Sequence, residues 1–267
     1  MLTTQTNMPK CNICKTPTHR IFDTKILGKY PANYFRCSNC EFIQTDTPYW
    51  LEEAYKNPIN NSDTGLMARN IDLSRLTSIV IFFWLNKKGI FLDFAGGYGV
   101  LTRLMRDIGF DFYWRDKYTD NLFSKGFEYQ PDTKDKFEMI TAFEFLEHAV
   151  DPLKELDEIT SMTDTFLFST VLTPRDTLPQ EDWFYFGVTH GQHISFFSKK
   201  TLEYLANKYG MYLHTNNKNI HLLTRKKLPF LSISLIQKLK RFGANKIINR
   251  NMRSKTVSDH NKIKNDA

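Results

Sequence analysis

Phe91-Leu92-Asp93-Phe94-Ala95-Gly96-Gly97-Tyr98-Gly99-Val100-Leu101 is the stretch whose reading decides the fold of this chain. A short apolar run ends in an acid, passes through a glycine-rich turn and enters Val100-Leu101-Thr102-Arg103-Leu104-Met105, where apolar residues recur at helical spacing. The stretch reads strand, turn, helix. In an α/β sheet such a turn lies beyond the carboxyl end of the strand, where glycine lets the backbone approach a ligand and the first helical N–H groups lack partners. A nucleotide-like cofactor is the expected occupant.

Glycine-rich turns serve several ligands, and spacing selects among them. No Gly-Lys-Ser/Thr follows, so the phosphate-loop pattern fails, and G-x-G-x-x-G is not matched from Gly97 or Gly99. What remains is Asp93-x-Ala95-x-Gly97-x-Gly99, which resembles the first motif of class I S-adenosylmethionine-dependent methyltransferases. The resemblance implies that Asp93, Ala95, Gly96, Gly97 and Gly99 contact S-adenosylmethionine. Ala95 stands where the family usually has glycine; if it takes φ > 0, its Cβ costs roughly 1 kcal/mol.

Working outward, Ile90–Asp93 is preceded by a long amphipathic segment from Leu66 to about Gly89, for which Ser62 or Asp63 is the expected cap. A short helix is expected over Trp50–Tyr55, interrupted at Asn57-Pro58. Phe110–Asp116 is a β-prone run ending in an acid, and Asp116 lies 23 positions beyond Asp93, close to the spacing at which a second-strand carboxylate accepts hydrogen bonds from a ribose diol. Lys136–Phe143 and Thr165–Val171 read as further buried strands, with a helix between them starting at Asp151-Pro152. This alternation predicts an α/β, doubly wound, mainly parallel sheet.

Phe143-Glu144-Phe145-Leu146-Glu147-His148-Ala149-Val150-Asp151-Pro152 resembles the Glu-x-x-Glu-His-x-x-Asp-Pro segment that follows the fourth strand in many class I methyltransferases of small molecules. Residues 56–70 and Gly191–Ser198 are similar to segments of a subgroup with an N-terminal four-cysteine zinc ribbon, associated with tailoring of sugars and surface polysaccharides. The likeness spans roughly residues 10–225. It implies a seven-stranded Rossmann-like sheet whose last strands are Met211–Thr215 and Ile220–Arg225, a cofactor pocket that also includes Phe143 and Glu144, and a cytoplasmic enzyme acting on a sugar, a sugar nucleotide or a related polysaccharide precursor.

All four cysteines fall in the first 40 residues, as Cys11-x-x-Cys14 and Cys37-x-x-Cys40 with 22 residues between the pairs. Four thiolates at this spacing suit one tetrahedral Zn²⁺ with no open position, hence a structural metal. A ribbon this small has little core, so metal binding would supply much of its folding free energy. Phe35 and Phe42 flank the second knuckle and are expected to pack it on the larger domain. The expected organisation is a ribbon over 1–46, a catalytic domain with a helical cover over 47–225 and a basic tail over 226–267.

Methyl transfer to an oxygen requires in-line positioning in a water-excluding site and removal of the acceptor's proton. His193, in a segment expected to pass over the carboxyl edge of the sheet, is the leading base, with His190 in weaker context. Glu144 and His148 are further catalytic candidates. Glu144, Glu147 and His148 also resemble a set that binds a divalent ion in some quinone-ring O-methyltransferases, so Mg²⁺ is a possible second metal; the alternative is that Glu147 and His148 brace the strand end and cap the next helix. Trp183-Phe184-Tyr185-Phe186 suits stacking on a sugar or planar ring, and Trp50 and Tyr55 are candidates to close the cofactor site.

The 267 residues are 41% hydrophobic, with 22 Phe and 12 Tyr, enough for one full α/β domain and an appendage. The formal charge is +7, yet residues 226–267 hold 11 Lys/Arg against 2 Asp/Glu, which leaves the rest of the chain with 25 basic and 27 acidic residues. A cationic nucleic-acid face on the body is therefore not indicated. An RNA methyltransferase gripping RNA through its ribbon, or a non-catalytic module that kept the fold, are the alternatives. The tail's Leu228–Ile236 run followed by Lys238, Lys240 and Arg241 reads as a basic amphipathic helix able to meet anionic lipid or an acidic partner, with disorder expected past Asn251. No signal core or membrane-length apolar run is visible.

Overall fold

The computed structural model describes residues 8–56, 63–131, 136–175 and 177–266. Period-two alternation builds its main sheet. Along β4 (Ile90–Phe94), Phe91 enters the core on one face and Leu92 the core on the other; Met139 and Ile140 of β6 (Met139–Ala142) and Leu167 and Phe168 of β7 (Thr165–Ser169) do the same. With β5 (Asp111–Arg115), β9 (Tyr212–Thr215) and β10 (Ile220–Thr224), the strand order is β5-β4-β6-β7-β10-β9. The first four are mutually parallel, and β10 runs antiparallel to both β7 and β9.

Among the described residues this sheet has six strands, where seven are expected from the resemblance. Beyond β5 the outermost position is held only by an isolated parallel bridge from Trp114 to Glu128. Trp114 N–H donates to the Phe127 carbonyl and Tyr129 N–H to the Trp114 carbonyl, after which Pro131, which has no N–H, follows. The seventh strand is thus reduced to one ladder step.

Helices α2 (Leu66–Trp84) and α3 (Val100–Ile108) cover one face, and α4 (Pro152–Met162) and α5 (Lys199–Tyr209) the other. Asp151 caps α4 at Lys154 N–H with Pro152 in the first turn, and Ser198 and Thr201 form a capping box on α5. Thus Asp151, not Glu147 or His148, caps the helix. The short helix α1 (Leu51–Ala54) is present. At α2 the N-cap is Gly65 with no side-chain bond; Asp63, an expected cap, instead takes an ion pair from Arg69 (Nη2 to Oδ2, 2.6 Å). The alternative cap, Ser62, and the interruption at Asn57-Pro58 lie outside the described residues.

The N-terminal ribbon is a second sheet of β1 (Thr18–Ile26), β2 (Tyr30–Cys37) and β3 (Ile43–Thr45), closed by β8 (Ser195–Phe196), which follows β7 of the main sheet in the chain. β3 and β8 pair antiparallel through Ile43–Phe196 and Gln44–Ser195. Phe42 meets Phe197 edge to face, and Ser198 and Thr201 hydroxyls donate to the Cys40 carbonyl. The second knuckle therefore sits on the start of α5.

The C-terminal segment departs from expectation. Apolar residues of α6 (Ile233–Arg241) and α7 (Ala244–Asn251), including Ile233, Ile236 and Ile248, are buried in the core that α2 covers. The face available to lipid in the sequence reading is spent inside the protein. Past Asn251 the chain forms α8 (Thr256–Asp266), anchored where buried Asp259 pairs with buried Arg106 (Nε to Oδ2 and Nη2 to Oδ1, both 2.8 Å). The expected disorder is replaced by this ion pair. Among the described residues no helix is long and apolar enough to cross a membrane.

Candidate active site

At the carboxyl edge of β4, β5, β6 and β7 opens a cavity of about 1010 Å³. That size matches a nucleotide-like ligand together with a second small molecule. Asp93, Ala95, Gly96, Gly97, Asp116, Phe143, Glu144, His148 and His193 all line it, although they come from four separate parts of the chain.

The glycine turn is shaped by its surroundings. Ala95 has φ 63°, so the departure from glycine carries the expected backbone strain. At Gly96 a Cβ would lie 2.7 Å from the Trp114 ring and 2.8 Å from Asp93 Oδ2. Gly97 has φ 53° and a Cβ there would meet nothing within 4 Å, so its bare backbone faces open space. Gly99 is not in the cavity wall: it takes φ 83° at the start of α3, and a Cβ would strike Ser124 and Asn121. Its part in the structure is to turn the chain into α3. The start of α3 carries no side-chain cap, and Val100 and Leu101 reach the cavity.

Asp93 is buried beneath the turn, accepting from Thr102 Oγ1 (3.2 Å) and Thr141 Oγ1 (3.0 Å). Burial pushes its carboxyl up to about 7, against the pull of those hydroxyls and with help from nearby Asp116. Asp116 closes the turn: Oδ2 accepts from Gly97 N–H (3.0 Å) and Oδ1 from Tyr118 and Thr119 N–H (2.7 and 2.9 Å). A carboxylate has about four acceptor sites, so one remains for a ligand hydroxyl.

The other catalytic candidates gather around the 3₁₀ turn Leu146–His148. His193 Nδ1 donates to the Tyr185 carbonyl at 2.6 Å, which leaves Nε2 with a lone pair. Burial lowers its pKa to about 4, so the ring is neutral at physiological pH. His148, 4.9 Å away between ring centroids, is lowered to about 3 by burial and by the neighbouring imidazoles; its Nδ1 is 3.1 Å from Tyr55 Oη. Glu147 is fully buried and takes a hydrogen bond from Tyr185 Oη (2.5 Å); desolvation, with Glu144 nearby, raises its pKa to about 8. His190 also lines the cavity, and its Nδ1 accepts from Gln192 N–H.

Glu144, at φ 52°, is occupied by Ser169: its N–H donates to Ser169 Oγ, whose hydroxyl donates to Oε1 at 2.6 Å. At this cavity the described residues close enough to share an ion are therefore Glu147, His148 and His193, with ligand atoms within 4.8 Å of one another, and not Glu144, Glu147 and His148. Two imidazoles make it a poor match for Mg²⁺, which prefers oxygen donors. Trp50 is also repositioned: its Nε1 donates to the Gly191 carbonyl from the ribbon core and it does not reach the cavity, whereas Tyr55, Phe184 and Tyr185 do.

In the ribbon, Cys11 Sγ and Cys40 Sγ are 3.6 Å apart and Cys14 Sγ and Cys37 Sγ 3.3 Å, far beyond a disulfide bond and near the roughly 3.8 Å edge of a tetrahedral zinc–sulfur site. The knuckles match each other: Lys15 and Glu41 both take positive φ after the second cysteine and return a hydrogen bond to the carbonyl of the first. N–H groups of Ile13, Cys14 and Cys40 point at cysteine sulfurs. This donor set fits a structural Zn²⁺.

Residues 67–216, more than half of the chain, match the family model described as a methyltransferase domain. The chain belongs to that family. It is an S-adenosylmethionine-dependent methyltransferase with an α/β fold and a mixed six-stranded sheet. No curated protein matches it in sequence. Among solved structures it is similar to magnesium protoporphyrin IX methyltransferase of Synechocystis PCC 6803 with bound S-adenosylmethionine (12% identity, TM-score 0.37, 67% of this chain and 93% of that one). It is similar also to human N-acetylserotonin methyltransferase (11%, TM-score 0.43, 67% and 66%) and to the pyocyanin biosynthetic protein PhzM (10%, TM-score 0.45, 66% and 61%).

In this methyltransferase three supports escape a reading by motif. Thr102 and Thr141 hold Asp93, Ser169 holds Glu144, and Tyr185 holds both Glu147 and the His193 ring. Thr102 lies on α3, Thr141 on β6, Ser169 on β7 and Tyr185 in a 3₁₀ turn, and a single hydroxyl in an apolar run leaves no spacing signal. The arrangement can bind a cationic nucleotide-like donor at the turn and present a neutral imidazole to a second molecule in the same cavity.

Proposed function

We propose that this enzyme transfers the methyl group of S-adenosylmethionine to a small-molecule acceptor of sugar type, a sugar, sugar nucleotide or surface-polysaccharide precursor, and that its ribbon holds a structural Zn²⁺ on Cys11, Cys14, Cys37 and Cys40. The observation that carries this reading is one cavity lined both by the open Gly97 turn with Asp116 and by an uncharged His193 whose free nitrogen is unblocked.

When bound, the sulfonium donor supplies an electrophilic methyl carbon. Its amino-acid end would lie along residues 93–99 over Asp93, and its ribose would take the remaining acceptor site of Asp116, with Phe143 packing beside it. Tyr55, stacked on Tyr118 at 5.1 Å, and Phe184 would cover the acceptor and exclude water. His193 Nε2 would accept the proton of an acceptor hydroxyl, while the Tyr185 carbonyl fixes the ring tautomer. Its lowered basicity keeps the lone pair free at all physiological pH values.

A mass-spectrometric screen of nucleotide-linked sugars with isotopically labelled methyl donor tests the acceptor class. Label in a sugar ring or its hydroxyls supports it; label only in RNA, with all sugars untouched, overturns it.

A further inference from the structure

We infer that Glu147, His148 and His193 form a transition-metal site through which Zn²⁺ inhibits the enzyme reversibly. The inference rests on the reading of His193 as the base, and deepens it by giving that site a regulator. A carboxylate oxygen of Glu147 and one nitrogen from each imidazole already lie within 4.8 Å of one another. Ligand atoms on a tetrahedral Zn²⁺ sit about 3.4 Å apart, so modest ring and carboxylate rotations close the set.

Three further features point to a cation. Glu147 Oε2 is buried with no hydrogen-bond partner, an orphan acceptor in a residue that is 0% exposed. The Nδ1 of His193 is engaged by the Tyr185 carbonyl, which orients that ring and keeps its second nitrogen for an ion, while Tyr55 Oη and the Gln192 backbone hold the His148 ring, which exchanges one of these two bonds for the metal. The cluster borders the cavity, so an ion can enter from solvent and keep an open coordination position. Two imidazoles and one carboxylate select Zn²⁺ or a similar ion over Mg²⁺. Once coordinated, the His193 lone pair can no longer take the acceptor's proton, and turnover stops until the ion leaves. This site is separate from the sulfur set of the ribbon, which has four soft ligands and no open position.

The test is isothermal titration of Zn²⁺ into full-length protein whose ribbon is already loaded, with turnover measured along the same titration. The expected result is one further equivalent bound, turnover falling at least tenfold as it fills, and recovery with a chelator dose that leaves the ribbon metal in place. His148→Ala and the near-isosteric Glu147→Gln should each lose that equivalent. Absence of a further equivalent in the wild type, its persistence in both variants, or constant or rising turnover as it fills would each overturn the inference. The base reading is judged apart: His193→Ala with wild-type turnover ends it, and the inhibition mechanism with it, whereas the bound stoichiometry still reports on the metal site.

Discussion

His193 and Asp93 are two buried titratable groups with opposite consequences. Because His193 is pushed down to about 4, the acid limb of kcat/KM should fall near pH 4 to 5, well below the ordinary histidine range; a limb near 6.5 would speak against this ring as base. His193→Ala should lower turnover by about 100-fold or more, the usual scale for a positioned base, and leave donor affinity near wild type. Asp93 is raised to about 7, so the folded protein holds that proton to a higher pH than the unfolded chain does. Its contribution to stability is therefore best below the unfolded carboxyl range near 4 and declines as pH climbs through 7. A donor bearing an ammonium favours the carboxylate, so its affinity should rise between pH 6 and 8. Titration of S-adenosylhomocysteine, which keeps that ammonium, at several pH values checks this, and Asp93→Asn should abolish the rise. That Asp93, Asp116 and His193 meet at one cavity was legible because the acid-glycine spacing and the His-containing loop are local patterns. Glu147 in its true setting was not, since its complete burial depends on Tyr185, 38 positions away.

At the scale of elements, the ribbon does more than append a small sheet carrying four clustered cysteines. β8 belongs to its sheet, and Ile194, the residue after His193, bonds at both ends: its N–H donates to the Glu147 carbonyl (2.9 Å) and its carbonyl accepts from Thr45 N–H (3.2 Å). His193, the proposed base, is thus suspended between the ribbon edge and the turn that carries Glu147. Cys37→Ser, or stripping the metal, should unfold the ribbon, release β8 and reduce turnover at least tenfold, while far-UV circular dichroism retains the helical signal of α2 to α5. Unchanged turnover in a metal-free ribbon would separate the two. The cysteine spacing revealed the ribbon, but a two-residue strand that pairs with residues 151 and 153 positions earlier has no periodicity to read, and so the coupling of ribbon to His193 emerges only from the fold.

For the molecule as a whole, the C-terminal segment is a brace on the sheet domain. Arg106 is buried, donates to Asp259, Asp111 and the Phe112 carbonyl, and stacks over Phe127 at 3.6 Å. Removing one partner of such a pair strands a charge, so Asp259→Ala should destabilise the protein by about 3–5 kcal/mol in denaturant unfolding. Although the strand order comes from the fold, the mainly parallel sheet, its flanking helices and the cavity at its carboxyl edge follow from the alternating strands and helices that the sequence displays openly between residues 90 and 171. The tail did not, because its polar composition suggests disorder until Arg106, 153 positions earlier, is seen to need its acid. The central claim, that the turn over 93–99 with Asp116 holds a sulfonium-type donor beside His193, is tested most directly by calorimetric titration of S-adenosylhomocysteine into the metal-loaded protein. One site per chain is expected, weakened at least tenfold by Asp116→Ala and hardly altered by His193→Ala. No heat of binding in folded, metal-replete wild type would contradict it.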